Sequence, residues 1–91
     1  MIRDDLKIIL GEELRFLAIK TRERLGLTQR IMGDRLQMSE SNYSDIETGE
    51  IICCGTLTAI LLLCMQDDPM KFIDSINERF IGLYDEEAMP L

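Results

Sequence analysis

Three cysteines, Cys53, Cys54 and Cys64, are the side chains in this sequence best suited to bond-forming or metal chemistry, and no histidine accompanies them. They lack the short paired spacings with which thiolates close round zinc, and without imidazole a site would need carboxylates to complete it. The pattern predicts no metal site and no cofactor. The three residues read as reduced, mostly buried small hydrophobes of a reducing compartment. The alternative is redox sensing by the adjacent Cys53 and Cys54, whose place near a predicted helix start would lower a thiol pKa. Other catalytic chemistry has no foothold: no nucleophile stands beside a base, no glycine loop cradles phosphate and no acid pair marks a cleft. The sequence predicts a protein that is not an enzyme.

What remains is charge and hydrogen bonding. The net charge of −7 opposes nonspecific attraction to phosphate. Its distribution is uneven, since residues 1–35 carry 8 Lys/Arg against 6 Asp/Glu and residues 36–91 carry 2 against 11. A phosphate-binding surface should therefore draw mainly on the first segment. Residues 39–50 hold Glu40, Asp45, Glu47 and Glu50 and no lysine or arginine.

The elements that must position these groups are helices. At 91 residues, 46% hydrophobic and 30% charged, the chain has the size and balance of one folded domain with a modest core. No apolar run nears the roughly 18 residues of a membrane span, and the start lacks the order of a secretory signal, so a cytoplasmic protein without membrane contact is expected. Leu14, Leu17, Ala18, Thr21 and Leu25 recur at threes and fours and predict a helix from Glu12 to Leu25. Asp4 to Leu10 has compatible spacing, and Gly11 leaves open whether it extends that helix or forms its own. Gly26 is a left-handed cap, after which Thr28 caps a short helix to about Leu36 with Ile31, Met32 and Leu36 inward. Ser39 caps a third, from Glu40 to Thr48, that buries Tyr43 and Ile46 and closes at Gly49. Thr56 to Met65 is apolar nearly all round and predicts a core helix. Asp68 and Pro69 start the last, with Met70, Ile73, Ile76, Asn77 and Phe80 on one face. The expected organisation is a single domain over 1–91, with its core in 12–81 and an acidic, loosely held tail in 82–91.

The string Leu25-Gly26-Leu27-Thr28-Gln29, followed by Leu36, Ser39, Tyr43-Ser44, Ile46-Glu47 and Gly49, resembles the Cro/repressor type (XRE family) of helix-turn-helix regulator over roughly residues 12–73. The resemblance implies an all-α, compact five-helix, lambda-repressor-like domain whose third helix enters the major groove while the second lies across the backbone. It further implies a sequence-specific transcriptional regulator, a repressor acting as a dimer on double-stranded DNA. By position, Thr28 and Gln29 match the phosphate-touching start of the second helix, with Arg30 and Arg35 as further phosphate contacts. Glu40, Ser41 and Asp45 match the base-reading positions of the third, flanked by Ser39, Asn42 and Ser44. Arg22 and Glu47 match a salt bridge between the first and third helices.

This chain departs from the pattern in three places. Gly33 stands where alanine is usual, which weakens the second helix by about 1 kcal/mol but allows close packing. Glu50 stands where a basic residue often lies near phosphate, and a cysteine stretch replaces the usual loop proline. A carboxylate can accept from the cytosine amino group, but attraction to the duplex falls to Lys20, Arg24, Arg30 and Arg35. Dimerisation between Pro69 and Tyr84 would double these weak contacts, since Phe72, Ile73, Ile76, Phe80, Ile81 and Leu83 exceed one stripe. The alternative function is a helix-turn-helix scaffold, antirepressor- or antitoxin-like, that grips a basic protein partner with its acidic face.

Overall fold

Helix α1 (Asp4–Leu25) is one unbroken rod in the computed structural model, which describes residues 4–83. It is followed by α2 (Gln29–Arg35), α3 (Glu40–Thr48), α4 (Thr56–Cys64) and α5 (Pro69–Leu83), and no strand occurs among the described residues. The segment before Gly11 therefore extends the first helix. Glycine inside a helix costs about 1 kcal/mol relative to alanine. The compensation is contact: a Cβ at Gly11 would lie 1.7 Å from the Ile52 carbonyl oxygen, so only glycine lets the loop after α3 rest on α1.

Leu14, Ala18, Met32, Leu36, Tyr43 and Leu62 form the buried centre, to which every one of the first four helices contributes. Thr21, on the same stripe of α1, is buried with its polarity satisfied: its hydroxyl donates to the Leu17 carbonyl at 2.6 Å and accepts from Gln66 Nε2 at 2.9 Å. Gln66 also donates to the Leu62 carbonyl, so one amide joins α1 to the end of α4. Across the other side, Arg79 Nη1 on α5 meets Glu13 Oε1 on α1 at 2.7 Å.

Local signals end the helices where the sequence places the breaks. At the end of α1, Gly26 takes a φ of 67°, and the amides of Gly26 and Leu27 donate back to the Glu23 and Arg22 carbonyls. This paired pattern is a Schellman cap. Asp68 Oδ1 accepts from the Met70 amide at the start of α5.

Several expected inward positions face out instead. Leu25 lies beyond the core because the chain turns away at Gly26, and Leu27 is half-buried in its stead. Ile31 is exposed because a seven-residue helix presents one face, and Met32, Gly33 and Leu36 occupy it. In α4 only Leu62 is buried, while Leu57 and Ile60 are 63% and 53% exposed, so the helix lines the core on one side and is not buried all round. Composition alone could not show that its neighbours cover a single side. The inward face of α5 is Phe72, Ile76 and Phe80, at spacings of four, while Met70, Ile73 and Asn77 point away. Of the expected tail over 82–91, the first two residues belong to α5 and the rest lie outside the described residues.

Candidate nucleic-acid interface

Two short helices and the turn between them carry most of the residues of interest. Thr28 Oγ1 accepts the Ile31 amide at 3.2 Å and opens α2, and Ser39 Oγ accepts the Asn42 amide at 3.2 Å and opens α3. Between them the chain makes a second Schellman cap, with the Gln37 amide on the Asp34 carbonyl and the Met38 amide on the Gly33 carbonyl. Gln37 occupies the left-handed position at a φ of 62°, where a Cβ is unfavourable. Gly33 has a packing reason, because a Cβ there would lie 3.1 Å from both the Met38 and Ser39 carbonyl oxygens, and alanine would push the turn off α2.

The angle of α3 is held by Glu47, whose side chain is 8% exposed. Arg22 grips its carboxylate at both oxygens, Nε to Oε2 at 2.6 Å and Nη2 to Oε1 at 3.1 Å. Arg22 Nη1 also donates to the Leu27 carbonyl, which ties the α1–α2 connection to the same guanidinium. Gln29 Nε2 donates to Oε1 at 3.1 Å, and the buried Tyr43 hydroxyl donates to Oε2. Burial alone would raise the Glu47 pKa, but the hydrogen bonds from Arg22, Tyr43 and Gln29 outweigh it and hold the carboxyl below its usual value. Burial and the Glu47 charge together push the Tyr43 phenol well above its usual value, so it stays a donor. Glu47 raises the Arg22 pKa in turn. One carboxylate thus joins α1, α2 and α3.

With Tyr43 and Ile46 turned inward, the first turn of α3 faces solvent. Ser39, Glu40, Ser41 and Asn42 are exposed, and Ser44 and Asp45 are half-buried. Thr28, Arg30 and Arg35 are exposed on or beside α2, whereas Gln29 is half-buried with its amide turned toward Glu47. Arg24 lies elsewhere, its Nη2 donating to the Met65 carbonyl at the end of α4. The sequence reading missed Tyr43 and Gln29 as partners of Glu47. Tyr43 was visible in principle, since positions four apart share a helix face, but Gln29 meets Glu47 only through tertiary packing.

The cysteines need correction. Cys64 is exposed and Cys53 and Cys54 are half-buried, so they are not a mostly buried set. Nor is a thiol in the pair activated: burial raises the Cys53 pKa against a weaker opposing pull from Lys7, and burial with the neighbouring Cys53 pushes Cys54 up to about 11. The adjacent pair lies in the loop before α4, where desolvation outweighs any benefit from the helix start.

A capped short helix, a tight left-handed turn and a second capped helix with a solvent-facing first turn define the helix-turn-helix class. The chain belongs to the helix-turn-helix domain family, whose model matches residues 9–68 and which is found in XRE-type regulators. The match begins slightly before the Cro/repressor-like stretch read from the sequence and ends slightly before it ends. No curated protein and no solved structure matches the chain. Membership in this family points to DNA as the partner.

Proposed function

We propose that this protein is a sequence-specific transcriptional regulator that reads DNA through the first turn of α3 and acts as a dimeric repressor in the cytoplasm. The observation that carries this reading is the clamp on Glu47, which sets α3 rigidly on α1 and α2 and leaves Ser39, Glu40, Ser41 and Asn42 in solvent. In the major groove those hydroxyl, amide and carboxylate groups can meet base edges, with Glu40 suited to a cytosine amino group and Asn42 to adenine. Thr28, Arg30 and Arg35 then lie toward one phosphate wall, with Gln29 fixing the start of α2. Met70, Ile73 and Ile81, exposed along α5, supply the surface for a second copy. Pairing places two copies of α3 about 34 Å apart, on successive groove turns.

The test is selection of bound duplexes from a random pool at about 50 mM salt, where phosphate attraction is little screened. Recovery of a palindrome whose half-sites are one turn apart supports the dimeric reader; recovery of no sequence at all overturns it.

A second reading rests on one observation, the absence of any lysine or arginine over residues 39–50. Here Glu40, Asp45 and Glu50 present an acidic edge to a basic protein partner, while Glu47 is withdrawn into the clamp. Empty DNA selection combined with salt-sensitive binding of a basic protein favours this reading.

A further inference from the structure

Lys7, Gly11 and Arg15 are spaced by four and form one stripe of α1, and the loop after α3 lies along that stripe. The contacts follow the chain in reverse order. Arg15 stands by Gly49, where a Cβ would be 3.6 Å from Arg15 Nη1, and Gly11 lies under the Ile52 carbonyl, where a Cβ would also be 3.2 Å from Cys53 Cα, with Lys7 one turn earlier on α1. The Arg15 guanidinium sits 4.9 Å from the centroid of Phe16, and neither Lys7 nor Arg15 forms an ion pair among the described residues. Glu12 lines the same hollow as Arg15, Glu50 is exposed in the loop, and Asp4 and Asp5 precede Lys7 on α1.

A nine-residue helix is about 13 Å long, close to the roughly 12 Å width of the major groove. If its first turn reads bases, its C-terminal end emerges at a phosphate wall, opposite the wall approached by the start of α2. The loop reaching that wall, residues 49–55, has Glu50 as its single charged residue and no cation of its own.

We propose that Lys7 and Arg15 form a second phosphate-binding edge, a pair of cations on α1 that serves the backbone beside the loop after α3. This rests on the DNA-reading function and adds to it the contact on the far side of the groove. Gly11 is what lets the loop lie against α1 at a point between the two cations. The charge needed beside the loop after α3 is thus supplied from α1, by residues more than thirty positions earlier in sequence.

The experiment measures affinity for a selected duplex between 50 and 200 mM salt for the wild type, Lys7→Gln, Arg15→Gln and a control, Lys71→Gln on α5. Each lost phosphate contact lowers the slope of log K against log salt by about 0.9. The expected result is that lowering for Lys7→Gln and for Arg15→Gln, uniform across duplex sequences, and an unchanged slope for Lys71→Gln. Thermal unfolding of each variant separates lost contact from lost fold, and the exposed Lys7 keeps the test decisive if Arg15→Gln unfolds. Slopes unchanged in Lys7→Gln and in a folded Arg15→Gln, with Arg30→Gln lowering the slope, overturn the second edge while leaving DNA reading intact. A wild type that binds no duplex overturns both.

Discussion

Arg22 and Glu47, twenty-five residues apart in sequence, meet through two guanidinium–carboxylate contacts at 2.6 and 3.1 Å, with Gln29 and Tyr43 filling the remaining acceptor positions of the carboxylate. With side chains 23% and 8% exposed, the pair is largely desolvated, and each partner depends on the other to offset the loss of water. Replacing Arg22 with Ala strands the carboxylate and is expected to destabilise the fold by about 3 kcal/mol. Urea denaturation gives the value, and a cost under about 1 kcal/mol would show the clamp to be no more than a surface pair.

The same cluster sets a pH dependence. Because the folded pKa of Glu47 lies below the ordinary 4.5, its contribution is complete above that value and drains away as pH falls through the folded pKa. Thermal unfolding between pH 7 and pH 3 should show a fall on the acid side that is shallower in Glu47→Gln, a variant less stable at neutral pH. Parallel curves would remove Glu47 from the account of acid sensitivity.

Gln37 holds a left-handed conformation in the turn between α2 and α3, secured by backbone bonds rather than by its side chain, whose contact with the Asp34 carbonyl is long at 3.4 Å. Gln37→Gly relieves the Cβ clash and should stabilise the protein by about 1 kcal/mol after the entropy cost of glycine. Calorimetry would then register a melting temperature about 4–8 °C higher for a domain of this size. A lowered melting temperature would mean that the side chain contributes more than the turn geometry costs.

Gly11→Ala tests the opposite case. In an exposed helix interior the change would gain about 1 kcal/mol, but here the new methyl would collide with the Ile52 carbonyl. The loop must move, and the expected outcome is destabilisation by about 2 kcal/mol. Equal or greater stability by chemical denaturation would show that the loop can lift from α1 without cost.

Base reading and the setting of α2 against α3 can be separated by two substitutions. Glu40→Ala should change which sequences are preferred, while Gln29→Ala should weaken all sequences alike, partly through the clamp it supports. Selection profiles and melting curves of both variants distinguish the two effects. Identical profiles would contradict this division of labour.

Helix order, the helix ends at Gly26 and Gly49 and the turn between α2 and α3 were legible from the sequence because their causes are local, whereas Gly11 left the start of α1 open. Thr28, Ser39 and Asp68 bond amides two or three residues onward, and Gly26 and Gly49 stop helices by their own backbone freedom. The pairing of Arg22 with Glu47 entered through family likeness, since nothing in either residue's neighbourhood names the other. Only the tertiary structure decided that Gln29 and Tyr43 complete that pairing, that Gly11 carries a loop rather than breaking a helix, and that α4 turns Leu57 and Ile60 outward. Each of these depends on which element lies opposite. Periodicity and capping report on neighbours along the chain, whereas burial, desolvation and close backbone approach are set by residues that only folding brings near.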